Sequence, residues 1–254
     1  MGVAKVIIND VTEIDLTADT VTADTLAEGK TAHDAKGEII TGTMTSGGGD
    51  DWAIAYIESD AGDGITSLPE GVTRIGNSVF ESRTNLALTS LPSGVTSIGN
   101  YAFQYCRALA LTSLPSGVTN IGSSAFSSCT NLALTSLPEG ITSIGSYAFS
   151  SCTNLALTSL PEGITDIDSY TFYSCTKLAL TSLPEGITSI YSSAFYSCTG
   201  LTSITFKGTP TTISSSAFSS CTNLKDIYVP WSEGAVANAP WGATNATIHY
   251  NSTV

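Results

Sequence analysis

Leu134-Thr-Ser-Leu-Pro-Glu-Gly-Ile-Thr-Ser-Ile-Gly-Ser-Tyr-Ala-Phe-Ser-Ser-Cys-Thr-Asn-Leu-Ala156 is one period of a repeat that runs from Ile65 to Leu224. Shifted by 23 residues in either direction, nearly the same words return. Phenylalanine falls at positions 80, 103, 126, 149, 172, 195 and 218, and leucine at 68, 91, 114, 137, 160 and 183. A fixed period of this length signals supersecondary units that bury their apolar faces against one another in a stack. The expected fold is mainly β: a solenoid of seven 23-residue repeats with short helical turns, preceded by a small β-rich N-terminal domain.

Within one coil, residues 132–138 read as a short strand, and Pro138 and Gly140 turn the chain. Ile141 to Gly145 is a second extended piece with Ile141 and Ile144 inward, and Ser146 to Cys152 reads as a helical turn with Ala148, Phe149 and Cys152 inward. Later copies, Leu201-Thr-Ser-Ile-Thr-Phe206 and Leu224-Lys-Asp-Ile-Tyr-Val229, carry a different apolar phase. The choice between Leu134 and Thr135 as the inward residue is therefore open, with Leu134 and a local bulge favoured.

The six cysteines, 106, 129, 152, 175, 198 and 221, fall once per repeat at one phase. Stacked coils place them in a column at the strand spacing of ~4.8 Å, too long for good disulfide geometry. They read as buried free thiols filling small apolar space, with metal binding by the column as the sharper alternative; no histidine interleaves them. Arg83 takes this phase in the first repeat.

The net charge of −13 is unevenly spread. Residues 1–64 carry thirteen Asp and Glu against three Lys and Arg, whereas residues 65–224 carry seven against five. So acidic a chain is a poor partner for nucleic acid or an anionic membrane, and no apolar run is long enough for membrane insertion. The start, Met1-Gly-Val-Ala-Lys-Val6, does not read as a secretory signal. Two histidines, His33 and His249, neighbour no nucleophile or carboxylate pair in sequence, and no glycine-rich phosphate loop follows a strand, so no enzyme and no cofactor are expected.

Four regions follow: residues 1–46, a small attachment or oligomerisation domain; 47–51, a Gly-rich linker; 52–224, the solenoid with an N-terminal lid at Trp52–Ile57; and 225–254, a C-terminal cap. In the first region a strand is expected over Val3–Ile8, a brief helix from Thr22 to Glu28, and a hairpin pairing Lys30–Asp34 with Glu38–Met44. Its Asp-rich segment lacks calcium-loop spacing and reads as solvated acids. In the cap, Ser232 opens a short helix ending near Asn238, Trp231 and Trp241 seal the last coil, and Ala246–Tyr250 is a final strand. A sugar site on the two tryptophans is the alternative to sealing.

Outward positions of the helical turn vary in a limited vocabulary. Two before Phe stand Ser78, Tyr101, Ser124, Tyr147, Tyr170, Ser193 and Ser216; just after it stand Glu81, Gln104, Ser127, Ser150, Tyr173, Tyr196 and Ser219. Tyr105 occurs one place further on and Tyr191 just upstream. Seven of the ten tyrosines thus fall on one side. Tyr mixed with Ser is the composition of antibody paratopes, where Tyr supplies rigid amphipathic contact. Tyr101, Tyr105, Tyr147, Tyr170, Tyr173, Tyr191 and Tyr196 are the candidate ligand-binding residues; the plainer reading is that they shield the backbone of neighbouring turns.

The words Leu-Pro-x-Gly-Ile/Val-Thr-x-Ile-Gly-x-x-Ala-Phe-x-x-Cys resemble the BspA-like leucine-rich repeats of bacterial and protist surface proteins. That resemblance implies a leucine-rich-repeat solenoid with a non-catalytic, extracellular adhesion role. The chain is expected to depart from cell-surface members in its start and in its Leu-Pro-Glu-Gly strings, which lack the Thr of a sortase signal. Residues Leu16 to Leu26 and Lys30 to Met44 resemble a short module of tail and fibre proteins in phages and prophages of Gram-positive gut bacteria. It implies a tail-tip protein in the virion, docked on other tail proteins through residues 1–46 as a homo-oligomer, with a trimer the first expectation. The solenoid would then bind a host cell-surface protein or glycan. A bacterial surface adhesin and a virion decoration protein without ligand are the alternatives.

Overall fold

A computed structural model of the chain describes residues 67–68 and 72–252 in full, together with the backbone strands at 5–8, 12–15, 31–33 and 39–41. The expected helix at Thr22–Glu28, the linker at 47–51 and the lid at Trp52–Ile57 lie outside the described residues. Two antiparallel hairpins open the chain: β1 (Lys5–Ile8) with β2 (Thr12–Asp15), and β3 (Thr31–His33) with β4 (Ile39–Thr41). Lys5–Ile8 falls within the strand expected over Val3–Ile8, and Thr31–His33 with Ile39–Thr41 fall within the two arms of the hairpin expected from Lys30–Asp34 and Glu38–Met44.

From Val72 onward the chain winds as a ladder of short parallel strands. One face holds β5 (Arg74–Ile75), β6 (Ser97–Ile98), β7 (Asn120–Ile121) and β8 (Ser143–Ile144), paired in that order with Ile75, Ile98, Ile121 and Ile144 in register. On that face β9 (Asp166–Ile167), β11 (Ser189–Ile190) and β13 (Thr212–Ile213) form a separate sheet, and β8 is not paired with β9. A second face carries β10 (Ser182–Leu183), β12 (Ser203–Phe206), β14 (Asp226–Tyr228) and β15 (Thr247–His249), again parallel.

One core fills the coil, built from ladders of identical residues. Successive Phe rings from Phe80 to Phe218 stack with centroids 5.0–5.7 Å apart and planes within 10°. Leu88, Leu111, Leu134, Leu157 and Leu180 are fully buried, so Leu134 is the inward residue and Thr135 and Ser136 both face out. In the next coil Ile204 replaces that leucine one place later, and β12 alternates regularly. Proline turns are as expected: the amides of Val95, Val118, Ile141, Ile164 and Ile187 each donate to the carbonyl of the proline three residues back.

The segment expected to be a helical turn is not helical. Tyr101 and Tyr105 sit at φ 57° and 62°, and the same two phases recur left-handed in neighbouring coils. Amides alternate in direction: Tyr101, Phe103 and Tyr105 donate to Ser123, Ala125 and Ser127 of the next coil, at 2.8–2.9 Å. Between them, Ala102, Gln104 and Cys106 donate three residues back to Gly99, Tyr101 and Phe103. Each left-handed residue costs roughly 1–2 kcal/mol, which inter-coil bonds of about 1 kcal/mol each offset. A helix would aim every amide along its own axis and leave the neighbouring coil unbonded.

Cysteine occupies the column beside phenylalanine as six buried free thiols. Beyond filling space, each thiol donates to a Phe carbonyl 26 residues earlier: Cys106 to Phe80, Cys129 to Phe103, Cys152 to Phe126, and so on to Cys221, at 2.8–3.0 Å. Burial pushes the thiols up from their ordinary value of 9.0, to about 12 at Cys106 and about 11 at Cys221.

At the C-terminal end Trp231 and Trp241 are buried and meet Phe206 edge-on or tilted, with centroids at 5.3 and 6.0 Å. They seal the stack, and their burial removes the alternative of a sugar platform there. The expected helix from Ser232 is instead a run of turns, held by bonds such as Trp241 Nε1 donating to the Ala237 carbonyl at 2.8 Å. The final strand is present as β15, and His249 Nε2 lies 2.8 Å from Asp226 Oδ1, tying it to β14.

The buried thiols give a test. A native pKa above the unfolded value means that the folded chain keeps protons which the unfolded chain releases, so stability is full below pH 9 and falls as pH rises towards the folded values. Urea midpoints should drop between pH 8.5 and 10, and Cys152→Ala should flatten that dependence by about 1.4 kcal/mol per pH unit at most. A thiol reagent should find no reactive cysteine in the native chain and all six in denaturant.

Candidate functional site

The seven sequence-selected tyrosines lie in three places rather than one. Tyr147, Tyr170, Tyr173 and Tyr196 form a continuous group. Tyr147 stacks on Tyr170 at 4.6 Å, Tyr170 tilts against Tyr173 at 5.8 Å, and Tyr173 stacks on Tyr196 at 4.9 Å. Their backbone is fixed by the inter-coil bonds of the turn, for example Tyr147 N–H to the Ser169 carbonyl at 3.1 Å and Tyr170 to Ser192 at 3.0 Å. Tyr147 is 42% exposed at one end of the group, while the other three are partly covered by one another and by the coil edge.

Tyr101 and Tyr105 belong to the coil carrying Phe103, two coils away, with Ser124 and Ser128 at their phases in the coil between. They are 43% and 42% exposed. Tyr191 stands apart. It follows β11, donates its amide to the Ile167 carbonyl at 2.9 Å, and is 46% exposed beside a cleft in the strand face.

That cleft escaped the sequence reading. Its signal is a change at one phase. Four places before Phe the repeats read Gly76, Gly99, Gly122, Gly145, then Asp168, Tyr191 and Ser214. These glycines are forced by close approach: a Cβ on Gly122 would lie 2.6 Å from Asn100 N, and one on Gly145 2.6 Å from Ser123 N. Asp168 supplies such a Cβ opposite a glycine coil, and at that junction the ladder opens between β8 and β9. Where both coils carry a side chain at this phase, as Asp168 with Tyr191 and Tyr191 with Ser214, the strands pair, and the Tyr191 and Ser214 amides donate to the Ile167 and Ile190 carbonyls at 2.9 Å.

The opening encloses about 270 Å³ and is lined by Thr142, Ser143, Thr165, Asp166, Asp168 and Tyr191, among others. Thr165 Oγ1 donates to Asp166 Oδ2 at 2.8 Å, and Thr188 Oγ1 to Asp166 Oδ1 at 3.2 Å. Partial burial, reinforced by the neighbouring Asp166 charge, raises the Asp168 carboxyl above its usual range, while a hydrogen bond from Ser146 opposes that shift.

The repeat family matched by this chain agrees with this architecture. A family model described as the BspA type leucine rich repeat region matches residues 65–179 and 142–238, in six copies. No curated protein matches the chain. Among solved structures, a leucine-rich repeat protein of T. pallidum is 30% identical over 63% of this chain and 74% of its own, with a TM-score of 0.49. A leucine-rich cell surface protein of Faecalibacterium prausnitzii A2-165 is 27% identical over 66% of this chain and 60% of its own, with a TM-score of 0.46. A leucine-rich repeat protein of Bacteroides ovatus is 23% identical, covering 72% of this chain and 60% of that one, with a TM-score of 0.39.

The tyrosine edge should be separable from the core in stability. Serine already adopts the left-handed backbone at the phase of Tyr147, in Ser124 and Ser193 at φ 54° and 53°. Tyr147→Ser should therefore cost no more than the lost ring stack, about 0.5–1.5 kcal/mol, whereas Phe149→Ala should cost about 3–5 kcal/mol. Urea denaturation of the two variants compares them directly.

Proposed function

This chain belongs to the BspA-type leucine-rich repeat family, and from that premise we propose that it is a non-catalytic recognition protein displayed at a surface, with the tyrosine edge as its binding face. The observation that carries the reading is the group Tyr147, Tyr170, Tyr173 and Tyr196. Four large amphipathic side chains are exposed in part on a backbone locked by bonds to both neighbouring coils. Such a surface loses little conformational freedom on binding, so more of its contact energy appears as affinity. Serines around the group leave room for a partner to approach the rings. Tyr101 and Tyr105 extend the same edge two coils away. A bacterial surface adhesin is the reading that the family match favours.

A second placement, at a phage tail tip, draws on the resemblance of residues Leu16–Leu26 and Lys30–Met44 to phage tail modules. There residues 1–46 would dock an oligomer on other virion proteins, and the solenoid edge would meet a host protein or glycan. The recognition chemistry of the edge is the same in both placements.

Replacing Tyr147, Tyr170, Tyr173 and Tyr196 together by Ser tests the reading. In a flow-cytometric assay with fluorescent full-length chain on a panel of gut bacterial cells and epithelial cells, the native chain should label at least one cell type. The quadruple variant should lose that labelling while its far-ultraviolet spectrum is unchanged. Retained labelling would move recognition away from this edge.

A further inference from the structure

The cleft between β8 and β9 has no part in the tyrosine group, yet three departures from the repeat converge on it. Asp166 stands where neighbouring coils carry Ser143 and Ser189, while Asp168 and Tyr191 occupy, in adjacent coils, the phase at which the four earlier coils carry Gly76, Gly99, Gly122 and Gly145. In a chain that otherwise copies itself, these changes bring a carboxylate pair and an aromatic ring to one opening, beside hydroxyls of Thr142, Ser143 and Thr165 that the repeat already provides.

The groups differ in kind, and the mixture identifies a ligand. Each carboxylate has about four acceptor positions; Asp166 uses two on Thr165 and Thr188, and Asp168 accepts from Ser146. The remainder stand beside the hydroxyls of Thr142 and Ser143, which both donate and accept, and beside Thr165, whose proton is already given to Asp166 and which therefore accepts. Tyr191 adds a ring that is 46% exposed. Among the described residues no Lys, Arg or His lines the space, so none of them neutralises the carboxylates from within it. An ammonium would use the acceptors and the ring face but leave the hydroxyl donors unused; a sugar uses acceptors, donors and the ring face at once. The volume, about 270 Å³, lies just below the range of about 300–1,000 Å³ for small-molecule sites, which fits one ring rather than a chain of them.

We propose that the split between β8 and β9 is a binding site for a single pyranose unit, with Tyr191 stacking on the ring and Asp166 and Asp168 accepting from its hydroxyls. The site is separate from the tyrosine edge, and it gives the solenoid a glycan specificity on its strand face. Asp168 has two roles: its Cβ holds the ladder open and its carboxylate reads the ligand.

Saturation-transfer nuclear magnetic resonance on the full chain, with the methyl glycosides of glucose, galactose, mannose and N-acetylglucosamine, tests this. At least one glycoside should receive saturation and bind with millimolar affinity. Asp168→Gly restores the glycine of earlier coils, so it should fold, close the cleft and weaken that glycoside by about tenfold or more. Tyr191→Ser, the residue found at Ser214, should do the same by removing the ring. Asp168→Asn keeps the Cβ and an acceptor, and its loss should stay within about threefold. Transfer to none of the four, or unchanged affinity in Asp168→Gly, would overturn the assignment. A loss in Asp168→Asn equal to that in Asp168→Gly would mean that charge alone is read, which also overturns it. The quadruple serine variant of the tyrosine edge should keep glycoside binding, so the two readings fail independently.

Discussion

Every coil must lie at bonding distance from a copy of itself, and nearly every other feature follows from that constraint. Backbone amides at Tyr101, Phe103 and Tyr105 find their acceptors one period away, not within their own coil. The Phe rings stack because the backbone has already set their spacing. Each cysteine reaches the carbonyl of a phenylalanine 26 residues back, a group that belongs to the preceding coil. Glycine at 99, 122 and 145 is required because the neighbouring backbone stands where a Cβ would be. A residue at any inward phase is therefore constrained by two neighbours as well as by its own coil, which is why those phases barely vary.

The outward phases are released from that constraint, and function is read there. At the phases of Tyr147 and Tyr105, tyrosine and serine exchange along the turn edge because both occupy the same left-handed backbone. The edge thus varies in bulk without varying in shape. On the strand face the constraint is not released but broken at one junction, where Asp168 meets a coil built around Gly145. The solenoid spends a ladder pairing there and gains an opening with polar walls.

Much of this was readable from the residues. The 23-residue period gave the stack, the cysteine phase gave a column of free thiols, and the tryptophans beyond Val229 gave a seal. Ala-Phe-Ser-Ser-Cys was not readable as turns, since its apolar spacing suits a helix equally well. What decides against a helix is the neighbouring coil offering acceptors at every second residue. The inward position of Leu134 was ambiguous because later coils bury Ile204 one place further on, and only packing separates the two. Tyr191 grouped with the other tyrosines by residue type, yet its phase puts it on the strand face. The cleft left a trace in sequence, the end of the glycine series at Asp168, but its meaning depends on knowing how closely two coils approach.

The register constraint is tested most directly by deleting one period. Removal of residues 112–134 joins Leu111 to Thr135, the same junction that Leu134 makes, and takes out 23 residues. Removal of residues 112–133 takes out one fewer and shifts every inward phase. Urea denaturation followed by circular dichroism should show a cooperative transition for the first deletion, close to that of the full chain, and a lost or strongly weakened transition for the second. Equal cooperativity in the two would contradict the claim that coil-to-coil register holds the structure together.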